Sequence, residues 1–553
     1  MRSAAPILLL AALAACESTG PTTDVRLELY APYDGRTGEV QPILQGGSGA
    51  DLIELVALQA SDPYGTQITV DLDIARKTGK LPALPFGDDY WFFVRGFRRD
   101  DPDNVPLFYG AAANVAVRGD APLIVAVQAG QADCIALNRT SRFGRDPQGT
   151  DDAGGLRTGA SFTVLADGRV LIAGGGSVNN DGRLVEVHDS MEIYDPKSSQ
   201  FVPLTARLLT PRAYHTATLL ADGRVLVVGG YTGPEADGAV TAATSIIDLS
   251  GPNPSVRPVV SGLPADQGRA HHAVSRLNDG RGSVLISGGV GPDGALLASA
   301  WRFFPGDAAG AGERFERQGD LWVARAWHSQ NRLLRQTELA LAAGGLSESG
   351  AQASVEVFSV LPTQDGCADP DQRPTADKGC FLRLPQSFWL EQARFGHAAV
   401  EIEDGAQILF AGGYTAEDRA GFATSLELID DQLQRRTAGA LPTGRGDLSA
   451  TVLPDQSVLL LGGRRGDSPV AISERLRPRR EGDRVTQYDV GELSADCELS
   501  EARYGQRAVR LPSGVVLIGG GVTGFQQRLV SSRRGELYFP RIRDIDRVYP
   551  TTR

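Results

Sequence analysis

The sequence predicts an all-β protein: a seven-bladed β-propeller preceded by a small β-sandwich. Three observations carry this. Glycine pairs recur at Gly174-Gly175, Gly229-Gly230, Gly288-Gly289, Gly344-Gly345, Gly412-Gly413, Gly462-Gly463 and Gly519-Gly520. An arginine stands 16 to 19 residues before each pair: Arg157, Arg212, Arg269, Arg325, Arg394, Arg445 and Arg503. Between them run an alternating stretch, a turn and an apolar segment, as in "RAYHTATLLADGRVLVVGG" at 212–230. Copies spaced 51 to 69 residues apart mean a repeat architecture in which no unit is stable alone.

The chain opens with "MRSAAPILLLAALAAC", one basic residue, a short apolar run and small residues before Cys16. The run is too short to span a bilayer and reads as a secretory signal over residues 1–15. "LAAC" resembles a bacterial lipobox, which implies cleavage before Cys16 and lipidation of its thiol; several acyl chains hold a protein stably on a membrane. Glu17 follows the cysteine, resembling lipoproteins sent on to the outer membrane, and residues 16–23 form a polar tether. The expected location is therefore the cell envelope, on the outer membrane.

Residues 24–131 lack the repeat. "VRLELY", "DLIELVALQ", "QITVDLDI", "YWFFVRGF" and "LIVAVQ" read as short strands of a β-sandwich. "LPALPFGDDYWFFVRG" loosely resembles a hairpin of transthyretin-like and carboxypeptidase-regulatory-like domains, which are usually non-catalytic. Trp91, Phe92 and Phe93 are expected in a core.

Residues 132–553 are assigned to the propeller. Asp-Gly turns at 167–168, 222–223, 279–280 and 404–405 mark hairpins, because such turns need positive φ. The run before each glycine pair is apolar throughout ("VLIAGG", "VLLLGG"), as in a strand covered on both faces. A third strand follows ("MEIYDP", "SVEVFS", "GELYFP"), then a weaker fourth, making four-stranded blades. The glycine pairs, the R-x-x-H openings and "VEVF" resemble the kelch repeat. Phe201 stands where the kelch tryptophan of the first blade would be, and most other units lack it. Two segments could close the ring: "ADCIALN" at 132–138 or "RIRDIDRVYP" near the C-terminus.

The net charge of −12 argues against general nucleic-acid binding. Four cysteines besides Cys16 suggest two disulfides in an exported chain, with three pairings open. Cys367 and Cys380 flank one polar loop and are paired, leaving Cys134 with Cys497. Histidine is scarce. Four of the six fall three residues after a repeat arginine, at His215, His272, His328 and His397; Ala160, Leu448 and Gln506 hold that slot elsewhere, which points to packing rather than metal binding. No cofactor or metal is expected.

Each repeat arginine starts an innermost strand, so the seven are expected at one mouth of the central channel. Charges about 10 Å apart repel by about 1.7 kcal/mol at an effective dielectric of 20, so partners are needed. Glu192, Glu356, Glu427, Glu474 and Glu536 occupy one position of the third strand in five blades, and an Arg–Glu network is expected among them with Arg157, Arg394, Arg445 and Arg503. Ile246 and Trp301 stand at that position in blades two and three. Arg212, Arg269 and Arg325 are the candidate ligand-binding residues, toward an anion. The expected function is non-catalytic binding of a protein or glycan by a lipid-anchored monomer. The kelch resemblance implies one alternative, a carbohydrate-active enzyme like galactose oxidase or a sialic-acid isomerase; a second alternative is a structural part of an envelope assembly.

Overall fold

In a computed structural model, the described residues are 8–9, 22–23, 25–30, 52–59, 67–73, 83–98, 101, 105–119, 123–142, 156–251, 253–307, 309–333, 339–360, 367, 378–525 and 528–541. Cys16, most of the leader and tether, and nearly all of "RIRDIDRVYP" lie outside them. No described helix is long and apolar enough to cross a membrane.

Seven four-stranded antiparallel sheets make the blades of a propeller. Blades one to six occupy residues 161–203, 216–258, 273–318, 329–383, 398–440 and 449–492. The second strand of each blade is fully buried; Val225–Val228 is an example. Its apolar run is dictated by sheets packing against both of its faces. Each glycine pair turns the chain out of this strand at positive φ. A Cβ on Gly229 (φ 65°) would sit 2.3 Å from the carbonyl oxygen of Arg269 in the next blade, so only glycine fits. In blade seven the turning pair is Gly520-Gly521, one residue later than expected; Gly519 still belongs to the strand, and the run of three glycines hid the register.

Blade seven settles how the ring closes. Its strands Arg507–Arg510, Val516–Gly519 and Arg534–Phe539 are completed by Cys134–Arg142 as the outermost strand. The segment just after the N-terminal domain thus joins the last blade, and the Cys134–Cys497 disulfide ties it to the loop entering that blade. Asp133, beside it, accepts hydrogen bonds from the Tyr538 hydroxyl (2.8 Å) and the Arg541 amide (3.1 Å) and pairs with Arg475. Cys367 is bonded to Cys380, as paired from the sequence.

The N-terminal domain is a sheet folded on itself. Strand Leu123–Gln131 pairs in parallel with Val25–Tyr30 along its first part and antiparallel with Phe108–Val117 at its end, and so belongs to both layers. Val25, Leu27, Val125 and Val127 of one layer meet Leu55, Ala57, Phe92 and Val94 of the other in a single core. Side chains alternate along a strand. Phe92 therefore points into this core, while Trp91 and Phe93 point the other way and pack with Tyr109 against blades one and seven.

Candidate functional site

The seven repeat arginines are all buried, none more than 2% exposed. Five hold a glutamate of their own blade. Arg325 Nη2 lies 2.6 Å from Glu356, Arg445 Nη2 2.7 Å from Glu474 and Arg503 Nη2 2.5 Å from Glu536. Arg157 and Arg394 pair likewise with Glu192 and Glu427. Glu356, Glu427 and Glu536 also accept backbone N–H groups of the strand-entry loop; Trp322 N–H donates to Glu356 at 2.7 Å and Ser500 N–H to Glu536 at 2.8 Å. Each guanidinium further donates to the carbonyl of the first turning glycine, as Arg325 does to Gly344 at 2.7 Å and Arg212 to Gly229 at 2.8 Å. The arginine therefore clasps a blade together at one end.

This corrects the sequence expectation for Arg212, Arg269 and Arg325. None of them lines the channel. Arg325 is ion-paired. Arg212 and Arg269, facing Ile246 and Trp301 instead of a carboxylate, are held by oxygens: Thr210, Gly229 and Ala243 carbonyls for one, Gln267, Gly288 and Ser299 for the other. Burial lowers both to about 10, so both stay charged at neutral pH without needing an outside anion.

The histidine slot stitches adjacent blades. His215 Nε2 lies 2.9 Å from the Ser161 hydroxyl, His272 Nε2 2.8 Å from Thr216, His328 Nε2 3.1 Å from Ser287 and His397 Nε2 3.0 Å from Ser329, each in the preceding blade. Gln506 repeats the contact by donating to Ser449 at 3.1 Å. Burial first, and the neighbouring arginine second, push His272 and His397 down to about 3 and His215 and His328 well below their ordinary value. They are neutral and pack between blades, and His272, His328 and His397 also reach the wall of the channel cavity.

The channel is built by the residue between these two slots, which the sequence reading passed over. Two positions after each arginine, Gly159, Tyr214, His271, Trp327, Gly396, Asp447 and Gly505 all have positive φ, between 51° and 67°. Their backbones hydrogen-bond in succession around the axis: Tyr214 N–H to Gly159 O (2.7 Å), then His271 to Tyr214, Trp327 to His271, Gly396 to Trp327, Asp447 to Gly396 and Gly505 to Asp447 (2.9 Å). Four non-glycine residues in the left-handed region mark stored strain, which concentrates at functional sites. The signal was available only as a position: the residue types differ from blade to blade, and what they share is a backbone conformation.

Their side chains make the channel lopsided. The rings of Tyr214 and His271 pack at 4.4 Å and those of His271 and Trp327 at 4.6 Å, tilted by 38° and 33°, an aromatic step across blades two to four. Blades five, seven and one present glycine there. On that side stand Arg419, Arg464, Arg507 and Tyr504, around a cavity of about 1040 Å³. Arg464 lies over the Tyr504 ring at 4.9 Å and Arg419 over the Tyr414 ring at 5.5 Å. Asp447 accepts a hydrogen bond from the Tyr414 hydroxyl at 2.8 Å. Arg464 is 8% exposed, and its Nε is buried with no hydrogen-bond partner among the described residues. Among those residues no carboxylate lies within 4.0 Å of the Arg419, Arg464 or Arg507 guanidinium. The cavity lining also holds Arg183 and Arg528, and Asp181, Glu235 and Asp467. Burial, then Arg419 and Arg507, lowers His271 to about 3, so it presents a neutral ring.

Among the described residues no group of three or more His, Cys, Asp or Glu could hold a metal ion. A copper site of the galactose-oxidase kind also needs a cysteine to cross-link with a tyrosine; the four described cysteines are spent in disulfides, so the residues do not fit it.

No family model matches the chain, and no curated protein matches it. Solved structures do. YjhT is similar at 14% identity over 61% of this chain and 97% of its own, with a TM-score of 0.42. A fungal alcohol oxidase of the AA5 family, in complex with copper, is similar at 14% identity over 70% of this chain and 74% of its own, with a TM-score of 0.48. Neither likeness bears on chemistry.

Proposed function

We propose that this chain is a kelch-type propeller lipoprotein, held on the outer membrane through Cys16, that binds an anionic ring-bearing ligand in its central channel without transforming it. One observation carries the reading: among the described residues, three channel guanidinium groups, those of Arg419, Arg464 and Arg507, lack a carboxylate partner and face an aromatic step. A guanidinium presents a planar fork matched to carboxylate or phosphate, and a ring face stacks on a tyrosine or tryptophan. An acidic glycan combines both features. The anion site expected at the repeat arginines is here moved to the arginines that line the channel.

Calorimetry with carboxylated sugars, acidic peptides and phosphate esters against neutral sugars tests this. Anionic compounds should bind, and Arg507→Ala should weaken them about tenfold, the worth of one charge-assisted hydrogen bond. Equal binding of neutral and charged compounds, or binding indifferent to Arg507→Ala, overturns it. Asp447, which lines the same cavity and accepts a hydrogen bond from the buried Tyr414 hydroxyl, favours a carbohydrate-active enzyme as the second reading. Turnover of galactose, sialic acid or their polymers, abolished by Asp447→Asn, would establish that reading instead.

A further inference from the structure

The two faces of the propeller differ. Innermost strands start at the repeat arginines, so the channel residues and the glycine-pair loops share one face. The hairpins that join first to second strands, and third to fourth, lie on the other. The described contacts of the N-terminal domain are with that second face. The Tyr109 hydroxyl donates to the Ser513 carbonyl at 2.8 Å, and Lys197 Nζ to the Asn114 carbonyl at 3.5 Å. A small cavity of about 220 Å³ separates Ala111–Asn114 from the turns at 167–169, 195–197 and 511–513. Entry of the chain agrees: Cys134 pairs with Phe539, the hairpin-face end of its strand.

Within the N-terminal domain the layers are ordered. Val56, Phe93 and Tyr109 face the propeller, and Leu55, Phe92 and Val94, from the same strands, face inward. The strands Val25–Tyr30 and Leu123–Gln131 cover that inner side, and Ile124 on their far side is 55% exposed. The first strand after the tether therefore sits in the layer most remote from the propeller.

We infer that the N-terminal domain is a spacer, placed between the lipid layer and the propeller so that the channel opens away from the membrane. This rests on the reading that Cys16 is lipidated. Packed sheets lie about 10 Å apart, which puts the strand Val25–Tyr30 about 20 Å behind the hairpin face. Blade strands of four residues add about 13 Å before the channel loops begin. Fully extended, the stretch from Cys16 to Val25 would reach at most about 32 Å, and the pairing of Thr22–Thr23 with Leu84–Pro85 shortens that reach further below the depth of about 33 Å, so the tether cannot bring the channel mouth down to the lipid. The channel then takes its ligand from the aqueous compartment and not from head groups of its own leaflet.

The test uses the full-length lipidated protein in vesicles carrying an acceptor-labelled lipid. A donor dye is placed at Asp237→Cys, on the channel-face loop of blade two, or at Asn278→Cys, on the opposite hairpin of blade three; both positions are exposed. Energy transfer to the lipid should be several-fold weaker from position 237 than from position 278. Equal transfer, or the reverse order, overturns the spacer while leaving lipidation standing. Mass spectrometry of the N-terminal peptide reads lipidation separately: an unmodified Cys16 in membrane fractions would remove the anchor, and the spacer with it.

Discussion

Glu427 offers the sharpest measure of what the copied arginines do. It is wholly buried and takes the Arg394 guanidinium, the N–H groups of Glu391 (2.5 Å) and Gln392 (3.3 Å), and the Ser425 hydroxyl (2.8 Å). Glu427→Ala removes the counter-charge while Arg394 stays tied to the carbonyls of Gly412, Ser425 and Gln392. Breaking a buried pair from one side costs about 3–5 kcal/mol, because the remaining charge cannot reach water. Glu427→Gln keeps shape and hydrogen-bonding capacity and should cost less, about 1.5–3 kcal/mol. Glu427→Ile copies blade two, where Arg212 is held by carbonyls alone beside Ile246, and should recover part of the alanine loss by refilling the space. Equilibrium urea unfolding of the chain beginning after Cys16, followed by tryptophan fluorescence, reads all three. Losses below about 1 kcal/mol for both Ala and Gln would mean that the pair is not what holds the blade, and the clasp would have to be abandoned.

Other outcomes follow from the same structure. The folded pKa values of His272 and His397 lie near 3, below the unfolded value of about 6.5, so unfolded chains bind protons that the folded protein refuses. Stability is complete above about pH 6.5 and falls as pH drops from there toward 3, by about 1.4 kcal/mol per pH unit for each histidine. His272→Gln, copying Gln506, should flatten the fall by one such share; urea midpoints at pH 7.5 and 5.5 that drop equally in both proteins contradict this. Cys134→Ser should cost about 5 kcal/mol, the upper end for disulfides, because the bond spans 363 residues; a midpoint unchanged from the oxidised parent would show that strand pairing alone closes the ring. Gly229→Ala should lose about 2–4 kcal/mol from positive φ and from the clash with the Arg269 carbonyl, and a neutral result in thermal unfolding would reject the close approach.

Some of the candidate site was legible early and some was not. Arg325 and Glu356 are 31 residues apart, and the regular copying of both types at matched positions pointed to an Arg–Glu network, while Arg325 itself was expected to bind a ligand. The same copying misled about where the guanidinium points. Position along a strand says which end a residue occupies, but the 2.7 Å bond to the Gly344 carbonyl, which turns Arg325 into the blade and away from the axis, depends on a turn folded from another strand. His271 is, in the sequence, only the residue before His272. Its ring lies between Tyr214 and Trp327, 57 and 56 residues away, and only ring closure brings those three together.

The repeat, the blade count and the strand order within a blade came from the sequence by itself, because each depends on contacts local to one unit and is copied seven times; the Arg–Glu pairs, present in five blades, were legible as a network but not partner by partner. The tertiary structure alone decided three things: that Cys134–Arg142 closes blade seven, that the N-terminal sheet lies on the hairpin face, and that the channel is walled by aromatics on one side and guanidinium groups on the other. Those features join residues from different blades, or from opposite ends of the chain. Their neighbours are set by the curvature that closes the ring, and no spacing along the chain encodes who will face whom across an axis.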